Sequence, residues 1–407
     1  MIGEKRPVGR ALSLLLVPFL LLSGCGAAGG QQDTPSSAVP PIGTEMPPDT
    51  TGSTTLPTGG TGTGTTGSAS APGAPVTGSA ARTTAPSGSA SVGAPKTTHP
   101  TSAATTAATT RARVPIGYAE AVVESGIGGG VRDPFILLHD GVYYMYTTWW
   151  QLYISDRLDG GWLGPYTCVT PPDGYDGDPW APEVYAYGGA FYMFASYHSS
   201  VTGSRGCAVF RAERPDGPFT QVSDGHVTPH GVDAIDGTLV VDEDGQPWMV
   251  WCGEHTGTPD RVGRMLCAPM SRDLTRLTAA PTELFRADDA PWATNKITDG
   301  SFLYRCADGT LLMLWSNRDN GGYCVGVAVS ESGKVTGPWR QESERLYTRS
   351  LTGRYDGGHG MIFRDKAGAL WMAIHSPNSA SAGRQEMPVF IPLIEEGGRL
   401  RWDLFSR

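Results

Sequence analysis

Beyond about residue 130 the chain alternates short apolar runs with breaks marked by glycine or aspartate, and the runs come in pairs. The first members of five pairs begin at Asp133-Pro134-Phe135-Ile136, Pro182-Glu183-Val184-Tyr185, Asp236-Gly237-Thr238-Leu239, Asp299-Gly300-Ser301-Phe302 and Gly358-His359-Gly360-Met361. After each comes a turn (Asp140-Gly141, Gly188-Gly189, Asp244-Gly245, Asp308-Gly309, Ala367-Gly368), then a second run such as Tyr143-Tyr144-Met145-Tyr146 or Trp248-Met249-Val250-Trp251. Short β-rich runs bounded by turn residues predict hairpins. One hairpin recurring at a spacing of roughly 50–60 residues predicts a propeller. Further runs supply third and fourth strands, and Gly164-Pro165-Tyr166, Gly217-Pro218-Phe219 and Gly337-Pro338-Trp339 each close a blade. Proline is tolerable there because an outermost strand has a free edge. The expected fold is all-β, a five-bladed β-propeller of four-stranded blades over residues 114–407, with blade five completed by an N-terminal strand.

The preceding residues read differently. Met1–Leu22 opens with Lys5, Arg6 and Arg10, continues as an apolar run and ends in Leu22-Ser23-Gly24-Cys25. That charge order is an export signal, and the tetrad resembles a bacterial lipoprotein cleavage box. Residues 1–25 are therefore expected to be a lipoprotein signal, with Cys25 lipidated and the protein anchored on the extracytoplasmic face of the membrane. Residues 26–113 are almost wholly Gly, Ser, Thr, Pro and Ala, too poor in apolar side chains to offset ordering entropy. They are expected to be a disordered tether with a reach on the order of 50 Å. A net charge of −9 offers no basic footprint for nucleic acid, and a monomer is expected. Six cysteines besides Cys25 lie in the domain; Cys252 and Cys267 flank one hairpin and are the first disulfide candidates in an oxidising compartment. No pair has CxxC spacing, which argues against structural zinc.

Strand heads in a propeller converge on the central axis. Asp133, Glu183, Asp236, Asp299 and His359 are thus expected to face one well. Residues just past each second strand should rim it: Trp149 and Trp150, Tyr197 and His198, Glu254 and His255, Asn317 and Arg318, His375 and Asn378. Aromatics such as Trp149 and Trp180 suit the C–H faces of sugar rings, with Glu183 and Arg318 as further substrate contacts. Hydrolysis of a glycoside needs two carboxyls, one ionised and one protonated, and a ring of converging acids can supply them. No nucleophile elbow, phosphate loop or HExxH zinc motif competes.

Arg132-Asp133-Pro134-Phe135, Asp178-Pro179-Trp180-Ala181-Pro182-Glu183, Ala234-Ile235-Asp236 and Gly358-His359-Gly360 occur in the order of the motifs of glycoside hydrolase family 43, which residues 130–395 resemble. The resemblance implies a five-bladed propeller that cleaves arabinosides or xylosides with inversion and acts on polysaccharide. It implies Asp133 as general base and Asp236 as the auxiliary acid that orients the proton donor. The fourth-blade donor is normally Glu; here Asp299 stands in its place. A side chain one methylene shorter reaches less far, so Glu254, at the end of a blade-three strand, competes for the role of acid. The same substitution keeps open a non-catalytic carbohydrate-binding propeller. The histidine counterpart often sits beside calcium, so calcium is expected near His359, with no cofactor required for turnover.

Overall fold

The computed structural model describes residues 113–379 and 383–406. Cys25, the expected signal and all but the last residue of the expected tether lie outside them. The described residues form five antiparallel sheets, and each of the first four follows the chain outward strand by strand. Blade one contains Phe135–His139, Val142–Thr147, Gln151–Ser155 and Leu163–Thr167. Blade two contains Trp180–Tyr187, Ala190–Ser199, Ser204–Ala212 and Thr220–Gln221. Blade three contains Ala234–Val241, Pro247–Gly253, Arg264–Pro269 and Thr282–Arg286. Blade four contains Asp299–Arg305, Leu311–Asp319, Gly322–Ser330 and Trp339–Gln341. In blade five, Gly358–Arg364, Leu370–Ser376 and Met387–Glu396 are joined by Val123–Glu124, and Arg399–Trp402 also pairs with Met387–Glu396. The chain therefore closes its last blade with a strand from its beginning, as the sequence suggested.

Burial explains why the inner strands read as apolar runs rather than strict alternations. The second strand of blade four, Leu311-Leu312-Met313-Leu314-Trp315-Ser316-Asn317, is buried at every one of these positions, because neighbouring blades cover both faces of the sheet. The outermost strand of blade one, Leu163–Thr167, is exposed throughout, and it tolerates Pro165. All six domain cysteines are buried free thiols. The expected Cys252–Cys267 disulfide is absent because the two lie out of register: Cys252 faces Met265 across the ladder and Cys267 faces Val250.

Candidate active site

In blades two to five the first strand slips register near its start, between Trp180 and Glu183, Ile235 and Thr238, Asp299 and Phe302, and Gly358 and Met361. Inside each slip one residue takes left-handed backbone: Ala181 (φ 39°), Asp236 (φ 56°), Gly300 (φ 55°) and His359 (φ 54°). Asp133 (φ 55°) holds the same place ahead of blade one. Non-glycine residues kept in this region cost of order 1–3 kcal/mol each and cluster at functional sites. At Gly300 the requirement is steric as well, since a Cβ there would lie 2.8 Å from His359 Cα.

The backbone amides of these five residues tie the blades into a ring. The Ala181 N–H donates to Thr148 Oγ1 (3.0 Å), that of Asp236 to Ser196 Oγ (3.0 Å), that of His359 to Ser316 Oγ (2.9 Å) and that of Asp133 to His375 Nδ1 (3.3 Å). Each acceptor stands at the end of the second strand in the neighbouring blade. The corresponding residue of blade three is Cys252, opposite Ile235, and a thiol is a weak acceptor. There the Gly300 N–H donates instead to Asp236 Oδ2 at 2.8 Å. In the sequence this ring shows only as small hydroxyl residues late in, or just past, second strands.

Side chains from blades one, three, four and five meet around His359. Its Nδ1 is 3.3 Å from Asp133 Oδ1, 3.7 Å from Asp299 Oδ1 and 3.9 Å from Asp236 Oδ2. Asp133 also has His375 Nδ1 3.1 Å from Oδ1 and accepts the Thr148 hydroxyl on Oδ2. Burial alone would raise its pKa, but His359, His375 and Arg132 together hold it well below the usual carboxylate range. Asp133 is therefore the ionised carboxylate of the centre. Asp236 is opposite in character: burial, then the neighbouring carboxylate of Asp299, push its pKa far up. Asp236 thus keeps its proton in the folded protein, hydrogen-bonded beside Asp299. Exposure separates their roles, because the Asp299 side chain is 27 % exposed against 4 % for Asp236. Asp299 stands one residue ahead of the left-handed position, level with Arg132 and Trp180, where a side chain can meet substrate.

The remaining residues named from sequence fall into place unevenly. Glu254 is ion-paired to Arg205 Nε (3.1 Å), and Arg205 also reaches Asp178 (3.1 Å) and Asp233 (3.7 Å). Burial raises the Glu254 pKa, Arg205 opposes this, and Asp233 and Asp299 add to it. The Arg205 guanidinium sits 4.4 Å over one face of the Trp180 ring. Trp149 is open, 57 % exposed, beside the Thr148 hydroxyl that holds Asp133. Arg318 is half-buried at its rim position. Trp150, Tyr197, Asn317 and His375 are buried rather than lining the mouth. Arg205 and Tyr323, both part of the centre, were missed because each stands at the start of a third strand, not at the head of a first strand or just past a second.

Glu183 corrects the expectation that five heads converge. The left-handed residue of blade two is Ala181, and Glu183, two residues on, is 3 % exposed within the propeller. It accepts the Tyr185 hydroxyl, which also lies 2.7 Å from Thr238 Oγ1. Burial lifts its carboxyl to about 8, against the downward pull of hydrogen bonds from Tyr185 and Thr238. A carboxyl raised in the fold contributes stability that is complete below its unfolded pKa and is lost as pH rises to the folded value. Stability should therefore fall between about pH 4.5 and about pH 8. Glu183→Gln should melt progressively higher than the parent across that window; a melting difference independent of pH would show that Glu183 does not titrate.

One oxygen each of Asp236 and Asp299 and a ring nitrogen of His359 lie within 4.8 Å of one another, so the three could hold a metal ion. Two carboxylates fit a hard cation better than the lone His359 expected from sequence. Calcium favours six to eight oxygens, so water would have to complete its shell.

The sequence profile described as Glycosyl hydrolases family 43 matches residues 127–388. The chain belongs to this family. It is a glycosidase, and the family inverts configuration at the sugar carbon. A solved endo-arabinase from Bacteroides thetaiotaomicron is 34 % identical, with 68 % of this chain and 98 % of that one covered at a TM-score of 0.59. A thermostable family-43 glycoside hydrolase (23 % identity, 69 % and 96 % covered, TM-score 0.62) shares the fold. So does an endo-1,4-beta-xylanase from Bacteroides thetaiotaomicron (24 % identity, 68 % and 94 % covered, TM-score 0.56). No curated protein matches the chain.

Proposed function

We propose that this family-43 enzyme hydrolyses arabinan- or xylan-type polysaccharides, with arabinan favoured by the likeness to the endo-arabinase. The observation that carries the mechanism is the meeting, around His359, of an ionised Asp133 with Asp299 and a protonated Asp236 beside it. Asp133 takes a proton from water as the water oxygen attacks the anomeric carbon. Asp299 gives its proton to the glycosidic oxygen as the bond to that carbon breaks. Asp236, anchored by the Gly300 N–H, holds a proton beside Asp299 that recharges the donor between turnovers. Glu254 is committed to Arg205 and shapes the rim. Trp149 offers its exposed ring to a sugar residue of the chain. Asp236, Asp299 and His359 are also the residues that would hold a cation, which would take the place of the proton kept there and supply positive charge to the centre.

The nearest oxygens of Asp133 and Asp299 can be no further apart than the 3.3 Å and 3.7 Å legs from His359 together allow. This reaches only the lower part of the about 6.5–9.5 Å span of inverting pairs, so family membership carries inversion more strongly than the distance does. Incubation with arabinan, xylan and galactan, with product analysis and proton NMR of the first-formed anomer, tests both points. Arabino- or xylo-oligosaccharides of inverted configuration are expected. Release from galactan alone would overturn the substrate class, and retained configuration would overturn the mechanism. The proposal includes a lipid anchor at Cys25 on the extracytoplasmic face of the cell membrane, so Cys25→Ser should move the enzyme from the membrane to the soluble fraction; unchanged membrane attachment would refute the anchor.

A further inference from the structure

Tyr323, in the third strand of blade four, belongs to none of the motifs read from the sequence, yet it lies between the two carboxylates that the mechanism uses. Its hydroxyl donates to Asp299 Oδ2 at 2.7 Å. Its ring stacks on His375, with centroids 5.6 Å apart and planes 22° from parallel, and His375 is the residue whose Nδ1 lies 3.1 Å from Asp133 Oδ1. We propose that Tyr323 is a positioning residue for the general acid, fixing one oxygen of Asp299 so that the other is presented to Asp236 and to the leaving group. The proposal rests on the reading of Asp299 as the proton donor.

The surroundings are built to hold this tyrosine. Its side chain is 2 % exposed, and a buried phenol must find a hydrogen-bond partner; Asp299 is that partner. Its backbone is held from both sides, the N–H donating to Asp356 Oδ2 (3.1 Å) and the carbonyl accepting from Gly357 N–H (3.0 Å). Asp356 Oδ1 accepts the Asn378 N–H at 3.1 Å, and Asn378 Oδ1 is 3.1 Å from His375 Nε2. One aspartate therefore frames both stacked rings. Room for the phenol comes from Gly358, where a Cβ would lie 2.4 Å from Tyr323 Cε1. The glycine preceding His359 thus makes room for the ring that orients the acid. This also bears on the shorter side chain at 299. Fixing one carboxylate oxygen removes rotation about the last bond, so a short aspartate can present its free oxygen along one direction.

A residue that only packed between blades would support every substrate equally. A residue that aims the acid matters most where proton donation is needed, namely with poor leaving groups. Tyr323→Phe keeps the stacked ring and removes only the donor. Its kcat on arabinan should fall by about tenfold or more, the scale of a lost hydrogen bond to a charged group. Its KM, and its rate on an arabinoside with a dinitrophenolate leaving group, should stay within about twofold of the parent. His375→Asn, acting on the base side, should slow both substrates together. Equal loss on both substrates in Tyr323→Phe, or loss on neither, would overturn the proposal. Should that variant fail to fold, 4-fluorophenylalanine at position 323 fills the same space without a donor and is read in the same way. Asp299→Ala, measured alongside, separates the two levels. If it spares the activated substrate while Tyr323→Phe does not discriminate, the positioning role fails and the acid assignment stands. If it also fails to discriminate, both fall.

Discussion

Asp133→Asn is expected to lower kcat by about 10²- to 10⁴-fold, the usual range for loss of a general base, on activated and unactivated substrates alike. Asparagine is the cleaner test because the residue sits at φ 55°, a region that Asp and Asn enter more readily than other non-glycine residues. The carboxamide can still accept the Thr148 hydroxyl and occupy the same space, so the melting temperature should change little. It cannot take a proton from water. Azide needs no deprotonation, so adding it should restore turnover of an aryl glycoside and yield the glycosyl azide of inverted configuration. Near-parental rates in Asp133→Asn would remove Asp133 from the role of base. Loss without azide rescue would leave it only an electrostatic part.

The blades were legible because each hairpin carries its own signals: a β-rich run, a glycine turn and a second aromatic run. These local features survive whatever the global packing does, and even the closing of blade five by an N-terminal strand could be anticipated. The heads were legible only in part. Aligning the five runs on their acids placed Glu183 and Asp299 at the axis, whereas the left-handed residues of blades two and four are Ala181 and Gly300. A bulge inserts residues without disturbing the apolar pattern on either side, so counting along the strand cannot locate it. In blade two the consequence was an error, because Glu183 points into the propeller. In blade four the shift of one residue lifts Asp299 towards the mouth and leaves it in contact with both Asp236 and His359. Asp133 and His375, 242 residues apart along the chain, could not have been paired from the sequence. Nor could Arg205 and Trp180, where a guanidinium covers one face of the indole. Such contacts depend on side-chain direction at the blade ends, where neither alternation nor turn chemistry constrains the answer.

Asp299→Ala is expected to reduce kcat on arabinan by about 10²- to 10⁴-fold while costing an arabinoside with a dinitrophenolate leaving group less than about tenfold, because that leaving group departs without protonation. The rival is Glu254, and the structure distinguishes the two by their partners. Glu254 is ion-paired with Arg205 at 3.1 Å, although burial still raises its carboxyl, so Glu254→Gln is expected to act through the rim, raising KM with kcat little changed. Asp299 faces a second carboxyl that keeps a proton within reach, the condition a donor needs. Restoring the family's usual side chain should not improve the enzyme. In Asp299→Glu an added methylene advances the carboxyl by about 1.5 Å, the length of one carbon–carbon bond, whereas the Tyr323 hydroxyl is set for the shorter chain at 2.7 Å. The longer residue must give up either Tyr323 or Asp236, so its kcat on arabinan should fall below the parent's while remaining above that of Asp299→Ala. A leaving-group signature found in Glu254→Gln and absent from Asp299→Ala would transfer the acid to Glu254 and make Asp299 a binding residue. An Asp299→Glu variant faster than the parent would show that the well has not closed around aspartate.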